Sequence, residues 1–269
     1  MKFTEGYWEK SERANASHAM QAFIVKEIPN GMQIVAPFHI ITDRSGALDV
    51  GTITIEFTAI RKDVISVRSW HFEGYQRKEP RFELNKDMQD VDVEITDEKA
   101  IMTAGRMQVC VDRKDFKIEY KADGKVLTTC GFRNIGYMQY DRSNSTKFPE
   151  SNYMYSDYTP YMNTELSLAP GECVYGMGER FTSFVKNGQV VDCWNEDGGT
   201  ASQISYKNIP FYMTNKNYGI LVDHTDNVSF EVASEKVEYV GFSVKGEELR
   251  FDLIYGDTMK DVIRTYTDL

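Results

Sequence analysis

Histidine and cysteine are scarce in this sequence, which contains four of each among 269 residues. The cysteines form no Cys-x-x-Cys pair and are widely separated, at Cys110, Cys130, Cys173 and Cys193. Structural zinc sites and redox motifs use closely paired cysteines, so this spacing favours reduced thiols over zinc ligands or disulfides. The histidines also share no motif; they are His18, His39, His71 and His224. The sequence therefore predicts no metal site.

Long hydrophobic runs are missing as well. No apolar stretch approaches the roughly 20 residues that a membrane-spanning helix needs. The segment from Met1 to Glu9 lacks the apolar core of a secretory signal. If residue 1 is the native start, the protein is expected to be cytoplasmic.

Positive charge is in short supply, because 31 basic side chains stand against 41 acidic ones and leave a formal net charge of −10. An acidic chain repels phosphate backbones and anionic lipids, so neither nucleic acid nor a membrane is expected as a partner. A neutral ligand suits this charge better.

Apolar material is plentiful, with 41% hydrophobic residues that include 15 Phe, 16 Tyr and 3 Trp. This composition is typical of a globular protein, and at this length one large β domain and two smaller domains are both plausible. The aromatic content indicates no ligand by itself, because ordinary β cores are equally rich in aromatic side chains.

Alternation of apolar and polar residues is the dominant pattern along the chain. This period of two predicts strands at residues 52–59, 64–70, 91–95, 107–111, 117–120, 211–214, 219–222, 228–232 and 249–254. Asn30-Gly31 and Asp123-Gly124 separate such runs and predict tight hairpins, as does the segment 215–219. The sequence therefore predicts an all-β fold of many short strands.

Three regions depart from this rhythm. Residues 137–160 and 176–210 lack periodicity and are expected to be long irregular crossings, the second richer in glycine. No helical pattern is found before residue 257, after which Met259, Val262, Ile263 and Tyr266 have helical spacing. We therefore predict a β-sandwich domain over 1–256 and the start of a helical linker over 257–269.

A set of ordered motifs in the second half identifies a family. The chain contains VYGMGERF at 174–181, WNEDGGT at 194–200, YKNIPFYMTN at 206–215 and FEVASEKV at 230–237. Together these resemble the N-terminal β domain of glycoside hydrolase family 31, most closely its bacterial α-xylosidase branch. The resemblance is strong over residues 164–266 and weaker over residues 1–160.

This resemblance implies a mutarotase-like β supersandwich of mostly antiparallel strands, with the short C-terminal helix leading toward a barrel domain absent from this chain. Family members are retaining α-glycosidases, and both of their catalytic aspartates lie on a (β/α)₈ barrel that follows this domain. Retaining chemistry needs two carboxyl groups roughly 5 Å apart across the scissile bond. The chain is therefore expected to hold no catalytic residue and to be inactive alone. The intact enzyme would hydrolyse α-linked xylosides or glucosides without a cofactor, and its homo-oligomerisation is left open.

The same resemblance implies a substrate-binding loop. In the family, the aspartate of the Trp-Asn-x-Asp segment reaches over the barrel mouth and binds sugar hydroxyls, and it matches Asp197 here. An ionised carboxylate accepts two strong hydroxyl hydrogen bonds, which suits vicinal sugar hydroxyls. Gly198 and Gly199 would allow close approach to a ligand or a sharp turn. Without the resemblance, Asp197 reads as a turn-forming residue. Glu196 stands where the family often has arginine, which changes the local charge by two.

Other residues of this region have two interpretations each. Trp194 either stacks on a sugar face or packs against the protein. Asn195 either supports Asp197 or, as we favour, braces the loop. Glu179 and Arg180 are expected to form an internal ion pair that fixes the loop rather than a catalytic pair. Support is also assigned to two aromatic residues expected beneath the loop or against the barrel, Phe181 and Phe211.

Two further functions are kept as alternatives. The first is a free-standing carbohydrate-binding module. The second, ranked below it, is an aldose mutarotase, which would use a histidine and a carboxylate as acid and base in an open cleft.

Overall fold

The computed structural model describes residues 3–5, 9–74, 80–141, 158–198 and 202–269. The strands of the first half of the chain are β1 Thr4–Glu5, β2 Glu9–Lys10, β3 Ala14–His18, β4 Ile24–Ile28, β5 Gly31–Pro37, β6 Thr52–Arg61, β7 Val64–Trp70, β8 Asp92–Ile95, β9 Lys99–Ala104, β10 Met107–Asp112, β11 Lys117–Ala122 and β12 Lys125–Gly131. A 3₁₀ turn, η1, lies at Ser45–Ala47.

The second half continues in the same way. Its strands are β13 Ile135–Asp141, β14 Tyr158–Ser167, β15 Val174–Gly176, β16 Gln189–Cys193, β17 Phe211–Thr214, β18 Tyr218–Val222, β19 Val228–Val232, β20 Tyr239–Lys245 and β21 Glu248–Tyr255. One α-helix, α1, follows at Met259–Asp268, and within the described ranges no helix is long and apolar enough to cross a membrane. The all-β prediction is confirmed.

Antiparallel pairing assembles these strands into four sheets. The largest has eight strands in the order β15-β17-β18-β21-β7-β6-β5-β4, and the second has six in the order β16-β19-β20-β14-β13-β3. Five strands form a third sheet in the order β12-β11-β10-β9-β8, and β1 pairs with β2. Every strand pairing in these sheets is antiparallel, as expected for a supersandwich.

The core lies where the three large sheets face one another. In β6 the alternation predicted from the sequence is realised, because Ile53, Ile55 and Phe57 are fully buried and the residues between them are not. Phe57 packs beside Tyr120 of the five-stranded sheet with ring centroids 6.2 Å apart. Phe242 of the six-stranded sheet meets Phe251 of the eight-stranded sheet edge-on at 5.3 Å. Apolar burial thus joins all three layers.

The hairpins form where turn chemistry predicts them. Asn30 and Asp123 adopt positive φ angles of 55° and 49°, which Asn and Asp tolerate better than other non-glycine residues. Gly31 has a second reason to be glycine, since a Cβ atom there would lie 2.0 Å from the carbonyl oxygen of Phe57. Asn217, with φ at 61°, turns the chain between β17 and β18.

The irregular crossing predicted at 137–160 is wrong at both of its ends, where the structure has strands. β13 extends to Asp141 and β14 begins at Tyr158, and the two pair in register from Ile135↔Thr164 to Asp141↔Tyr158. Residues 142–157 between them lie outside the described residues. The alternation was hidden because β14 lies between two other strands and buries residues on both of its faces.

Helix α1 packs against the outer face of the eight-stranded sheet. Thr258 caps its first turn in a capping box with Asp261. Val262 is fully buried among Ile60, Leu221 and Ile254 of the sheet. The helix predicted after residue 257 is therefore present, and it is joined to the sheet by apolar contacts.

All four cysteines are free, with Cys130 and Cys193 buried and Cys110 and Cys173 partly exposed. Burial raises the pKa of the Cys193 thiol to about 11 and that of Cys130 to about 12. These two thiols are therefore poor nucleophiles at neutral pH.

Candidate functional site

The glycine-rich segment of the first family motif folds into an unusual backbone path. Gly176, Met177 and Gly178 have consecutive positive φ angles of 119°, 67° and 88°. A Cβ atom at Gly178 would lie 2.1 Å from the carbonyl oxygen of Lys207. The Met177 amide donates to the carbonyl oxygen of Phe211 at 2.9 Å. This path lets the chain lie directly against the segment 207–211.

Arg180 holds the loop together through its guanidinium group. Its Nε donates to the carbonyl oxygen of Met177 at 3.1 Å, and its Nη atoms donate to the carbonyl oxygens of Gln203 at 3.1 Å and Asp192 at 3.0 Å. It also binds the side-chain oxygen of Asn208. A planar guanidinium presents five N–H donors in a fixed fork, so one side chain can join four separate segments.

Glu179 has a different partner from the one expected. Its carboxylate pairs with the ammonium group of Lys207 at 2.9 Å, and both side chains are largely exposed. The expected ion pair between Glu179 and Arg180 is therefore wrong. Glu179 binds Lys207 instead, and Arg180 binds mainly backbone carbonyl oxygens. An exposed pair of this kind contributes little to stability.

Asn195 is hydrogen-bonded to Asn208 across the loop. Its side-chain oxygen accepts hydrogen bonds from the backbone N–H of Asn208 at 3.0 Å and from the Asn208 side chain at 2.9 Å. Asn195 also forms an isolated parallel bridge with Ser205. The Asn208 side chain donates to the carbonyl oxygen of Trp194 at 2.8 Å, so it fixes both residues.

Trp194 lies at the surface with 49% of its side chain exposed, so it is not a core residue. It lines two cavities. Cavity A, of about 340 Å³, lies between Trp194, Phe82 and His224. Cavity B, of about 480 Å³, lies between Trp194, Tyr161 and Lys245. Asp226 lines both cavities as well.

Asp197 is exposed and has a partner that sequence reasoning missed. The hydroxyl of Tyr206 donates a hydrogen bond to the Asp197 carboxylate, which raises the pKa of Tyr206. Tyr206 is 68% exposed and lines cavity C, of about 360 Å³, with Phe181 and Ile204. The predicted sugar-binding residues are thus divided: Trp194 borders cavities A and B, whereas the partner of Asp197 borders cavity C.

Two glycines, Gly198 and Gly199, follow Asp197 in the motif. A Cβ atom at Gly198 would lie 2.6 Å from both the Cβ and the carbonyl oxygen of Ile204, so close packing within the loop requires glycine here. Gly199 lies outside the described residues. The side chain of Glu196 is exposed, and its backbone N–H donates to Ser205 at 3.0 Å.

The two aromatic residues predicted to support the loop, Phe181 and Phe211, lie in different environments. Phe181 is 65% exposed. Phe211 is buried, and its ring stacks on Tyr266 of α1 with centroids 4.0 Å apart. Its register opposite Leu221 directs the ring to the outer face of the sheet, so Phe211 supports the helix rather than the loop.

Titratable groups also meet away from this loop. His71 shares the Glu247 carboxylate with Tyr137, at 2.7 Å and 2.8 Å, and the two rings stack. Asp252 is fully buried in β21, and burial raises its pKa to about 7. Among the described residues, no group of three or more His, Cys, Asp or Glu side chains is placed to hold a metal ion.

Comparison with known proteins gives a family. Residues 54–231 match the glycosyl hydrolase 31 N-terminal galactose mutarotase-like domain. The whole chain is 37% identical to α-xylosidase XylQ of Lactiplantibacillus pentosus and 36% identical to an α-xylosidase of Emericella nidulans. It spans about a third of these curated relatives, 34% and 35% of their lengths.

The fold has solved counterparts. The cycloalternan-forming enzyme of Listeria monocytogenes, solved with a pentasaccharide substrate, superposes with a TM-score of 0.73 at 16% identity. The match covers 95% of this chain and 22% of that one. Together with the sequence matches, these findings show that the chain belongs to the family of glycosyl hydrolase 31 N-terminal galactose mutarotase-like domains.

Proposed function

We propose that this chain is the non-catalytic N-terminal domain of a retaining α-glycosidase that acts on α-linked xylosides or glucosides. The observation that carries the proposal is the 37% identity to an α-xylosidase over the entire chain, although the chain spans only 34% of that enzyme. In this proposal residues 1–256 form the β domain and residues 257–269 lead toward a catalytic barrel. The barrel supplies both catalytic carboxyl groups.

The proposed contribution of the domain to substrate binding is Asp197. Its carboxylate is exposed and accepts a hydrogen bond from the Tyr206 hydroxyl. The loop behind it is held by the hydrogen bonds of Arg180 and Asn208. A carboxylate that is held in place before the ligand arrives loses less entropy on binding, which favours hydrogen bonds to sugar hydroxyls.

The proposed contact with the barrel is formed by exposed aromatic side chains near the same loop. Phe181 and Tyr206, which line cavity C together, are 65% and 68% exposed. Large exposed apolar groups that cluster on one surface are typical of an interface. The same surface would place Asp197 beside the active site of the barrel.

The test is a kinetic comparison in the α-glycosidase that carries this domain. Asp197→Ala is expected to lower kcat/KM for an aryl α-xyloside about 10- to 100-fold, since it removes charge-assisted hydrogen bonds worth roughly 1.5–3 kcal/mol. Tyr206→Phe is expected to cost less, because it only frees the carboxylate. Unchanged kcat/KM for xylosides and glucosides after Asp197→Ala would refute the role of the loop.

A second measurement tests the absence of catalysis in the domain itself. The 269-residue chain is expected to release no aryl alcohol from an aryl α-xyloside above the uncatalysed rate. Turnover that depends on the chain would contradict the assignment of both catalytic carboxyl groups to the barrel.

A further inference from the structure

We infer that the surface on both sides of Trp194 is a second carbohydrate-binding site, which takes a neutral oligosaccharide and is separate from Asp197. Cavities A and B share Trp194 and Asp226 in their walls, and we treat the two cavities together as one groove. We call it the Trp194 groove. Its combined size suits more than one sugar ring, because each cavity falls within the usual range of ligand sites, roughly 300–1,000 Å³.

The floor of cavity B is a row of polar side chains on one face of the six-stranded sheet. Asp192, Ser229 and Ser243 stand directly opposite one another on β16, β19 and β20. The Ser229 hydroxyl donates to the Asp192 carboxylate at 2.6 Å. This row gives cavity B a polar floor whose groups can bind ligand hydroxyls.

Ser243 provides the second, independent observation. It is 3% exposed, lines cavity B, and its Oγ atom has no hydrogen-bond partner. A buried hydroxyl without a partner destabilises the protein. A ligand hydroxyl that reaches this group on binding would satisfy it, and an apolar ligand would not.

The rim selects the chemistry of the ligand. Trp194 and Tyr161 present aromatic surface to cavity B, and the polar groups Asp226, Asn227 and Lys245 stand around them. An aromatic face packs against the C–H face of a pyranose, while carboxylate, amide and ammonium groups bind its hydroxyls. Asp192 and Asp226 outweigh Lys245 in charge, so an anionic ligand is disfavoured and a neutral sugar is preferred.

The groove is independent of the proposed role of Asp197, although its assignment to oligosaccharides agrees with the proposed function. Asp197 contacts Tyr206, which lines cavity C, whereas the residues of the groove line cavities A and B. The two sites can therefore fail separately. Loss of kcat/KM in Asp197 variants tests the first site, and equilibrium binding by the chain tests the second.

The experiment is an NMR titration of the 269-residue chain with isoprimeverose and with maltotriose. The indole N–H resonance of Trp194, assigned from its loss in Trp194→Phe, is expected to shift with a dissociation constant of about 1–10 mM. Trp194→Ala is expected to weaken binding at least tenfold, and Ser243→Ala or Asp226→Asn about threefold to tenfold. Phe184→Ala is the matched control, because Phe184 is 76% exposed, packs beside Tyr175, and lines neither cavity of the groove.

Two results would overturn the inference. One is the absence of any saturable shift at about 50 mM of either sugar, a concentration well above the expected dissociation constant. The other is binding that survives Trp194→Ala, Ser243→Ala and Asp226→Asn unchanged. Binding tighter than about 0.1 mM would support the groove and would favour a free-standing carbohydrate-binding module over a domain that depends on a barrel.

Discussion

The ring of Phe211 lies flat on the ring of Tyr266, with centroids 4.0 Å apart and an interplanar angle of 9°. Phe211 belongs to β17 and Tyr266 to α1, so this stack joins the helix to the eight-stranded sheet. The neighbouring contacts are also apolar, and Val262 is fully buried among them. The end of the helix is held as well, because the Asn85 backbone N–H donates to the carbonyl oxygen of Leu269 at 2.6 Å.

Removing this stack should loosen the helix. Tyr266→Ala is expected to lower the free energy of unfolding by about 2 kcal/mol, because it deletes a half-buried aromatic ring and leaves a gap beside Phe211. Ile263 lies in the same helix and is 40% exposed. Ile263→Ala is expected to change the free energy of unfolding by less than about 0.5 kcal/mol. Urea denaturation of both variants measures the difference, and equal effects would show that the stack is not the attachment.

Arg180→Lys tests the fixing of the loop. Lysine keeps the charge but offers one ammonium group in place of a planar fork, so most of the hydrogen bonds to Met177, Asp192 and Gln203 are lost. Amide hydrogen exchange of Glu196 and Asn208 is expected to accelerate about 10- to 100-fold.

The control for this variant is Arg264→Lys, on the exposed face of α1, where the arginine pairs only locally with Asp261 at 3.0 Å. Exchange of the loop amides should not change there. If Arg180→Lys also leaves the protection of Glu196 and Asn208 intact, other contacts must hold the loop.

Gly178→Ala and Gly188→Ala form a matched pair. The two glycines have nearly equal φ angles of 88° and 85°. A Cβ atom at Gly178 would lie 2.1 Å from the Lys207 carbonyl oxygen, whereas one at Gly188 would have no atom within 4 Å. Gly188→Ala is expected to cost about 1 kcal/mol from backbone strain alone. Gly178→Ala is expected to cost at least about 3 kcal/mol, because a clash is added. Thermal denaturation distinguishes the two, and equal costs would contradict the close approach.

The buried carboxyl of Asp252 should make stability depend on pH. Burial is the main cause of its raised pKa, with the charge of Asp223 adding to it, while the polar Ser66 side chain and the charges of Arg250 and Lys86 oppose it. The folded state therefore keeps a proton that the unfolded chain releases above about pH 4. Stability is expected to be greatest below the unfolded pKa of 3.8 and to fall as pH rises to about 7, as far as this group decides it.

Asp252→Asn removes this titration while preserving the size of the side chain. The variant is expected to gain stability relative to the parent as pH rises from 5 to 8, by up to about 3 kcal/mol, since one pKa unit corresponds to about 1.4 kcal/mol. Asp115→Asn, at an exposed position, is the control and should leave the pH profile unchanged. Parallel profiles for Asp252→Asn and the parent protein would rule out the effect.

The sequence allowed much of the fold to be predicted, because the strands on the sandwich surface show an alternating pattern. β6 is an example, since one of its faces meets the core. β14 gave no such signal, because it is central in its sheet and buries Thr159 and Asn163 as well as Met162 and Leu166. β20 was missed for the same reason, with Ser243 buried beside Phe242 and Val244.

The site was predictable in part. Asp197, Trp194 and Asn195 could be named because they stand in one motif. Their partners could not be named, because Tyr206 and Asn208 contact them across a loop. Periodicity and motifs describe local order, and they carry no information on which carbonyl groups a side chain such as Arg180 will reach.

The strand order of the eight-stranded sheet affects how the protein folds during synthesis. Its central strands β7 and β21 contain Arg68 and Glu248, which bond at 2.6 Å although 180 positions separate them. During synthesis, β7, which is mostly apolar, therefore cannot pair with β21 until nearly the whole domain has left the ribosome. Long-range pairing of this kind folds slowly and leaves an open strand edge exposed to other chains. We expect nascent chains that end before residue 248 to be bound by chaperones or to aggregate.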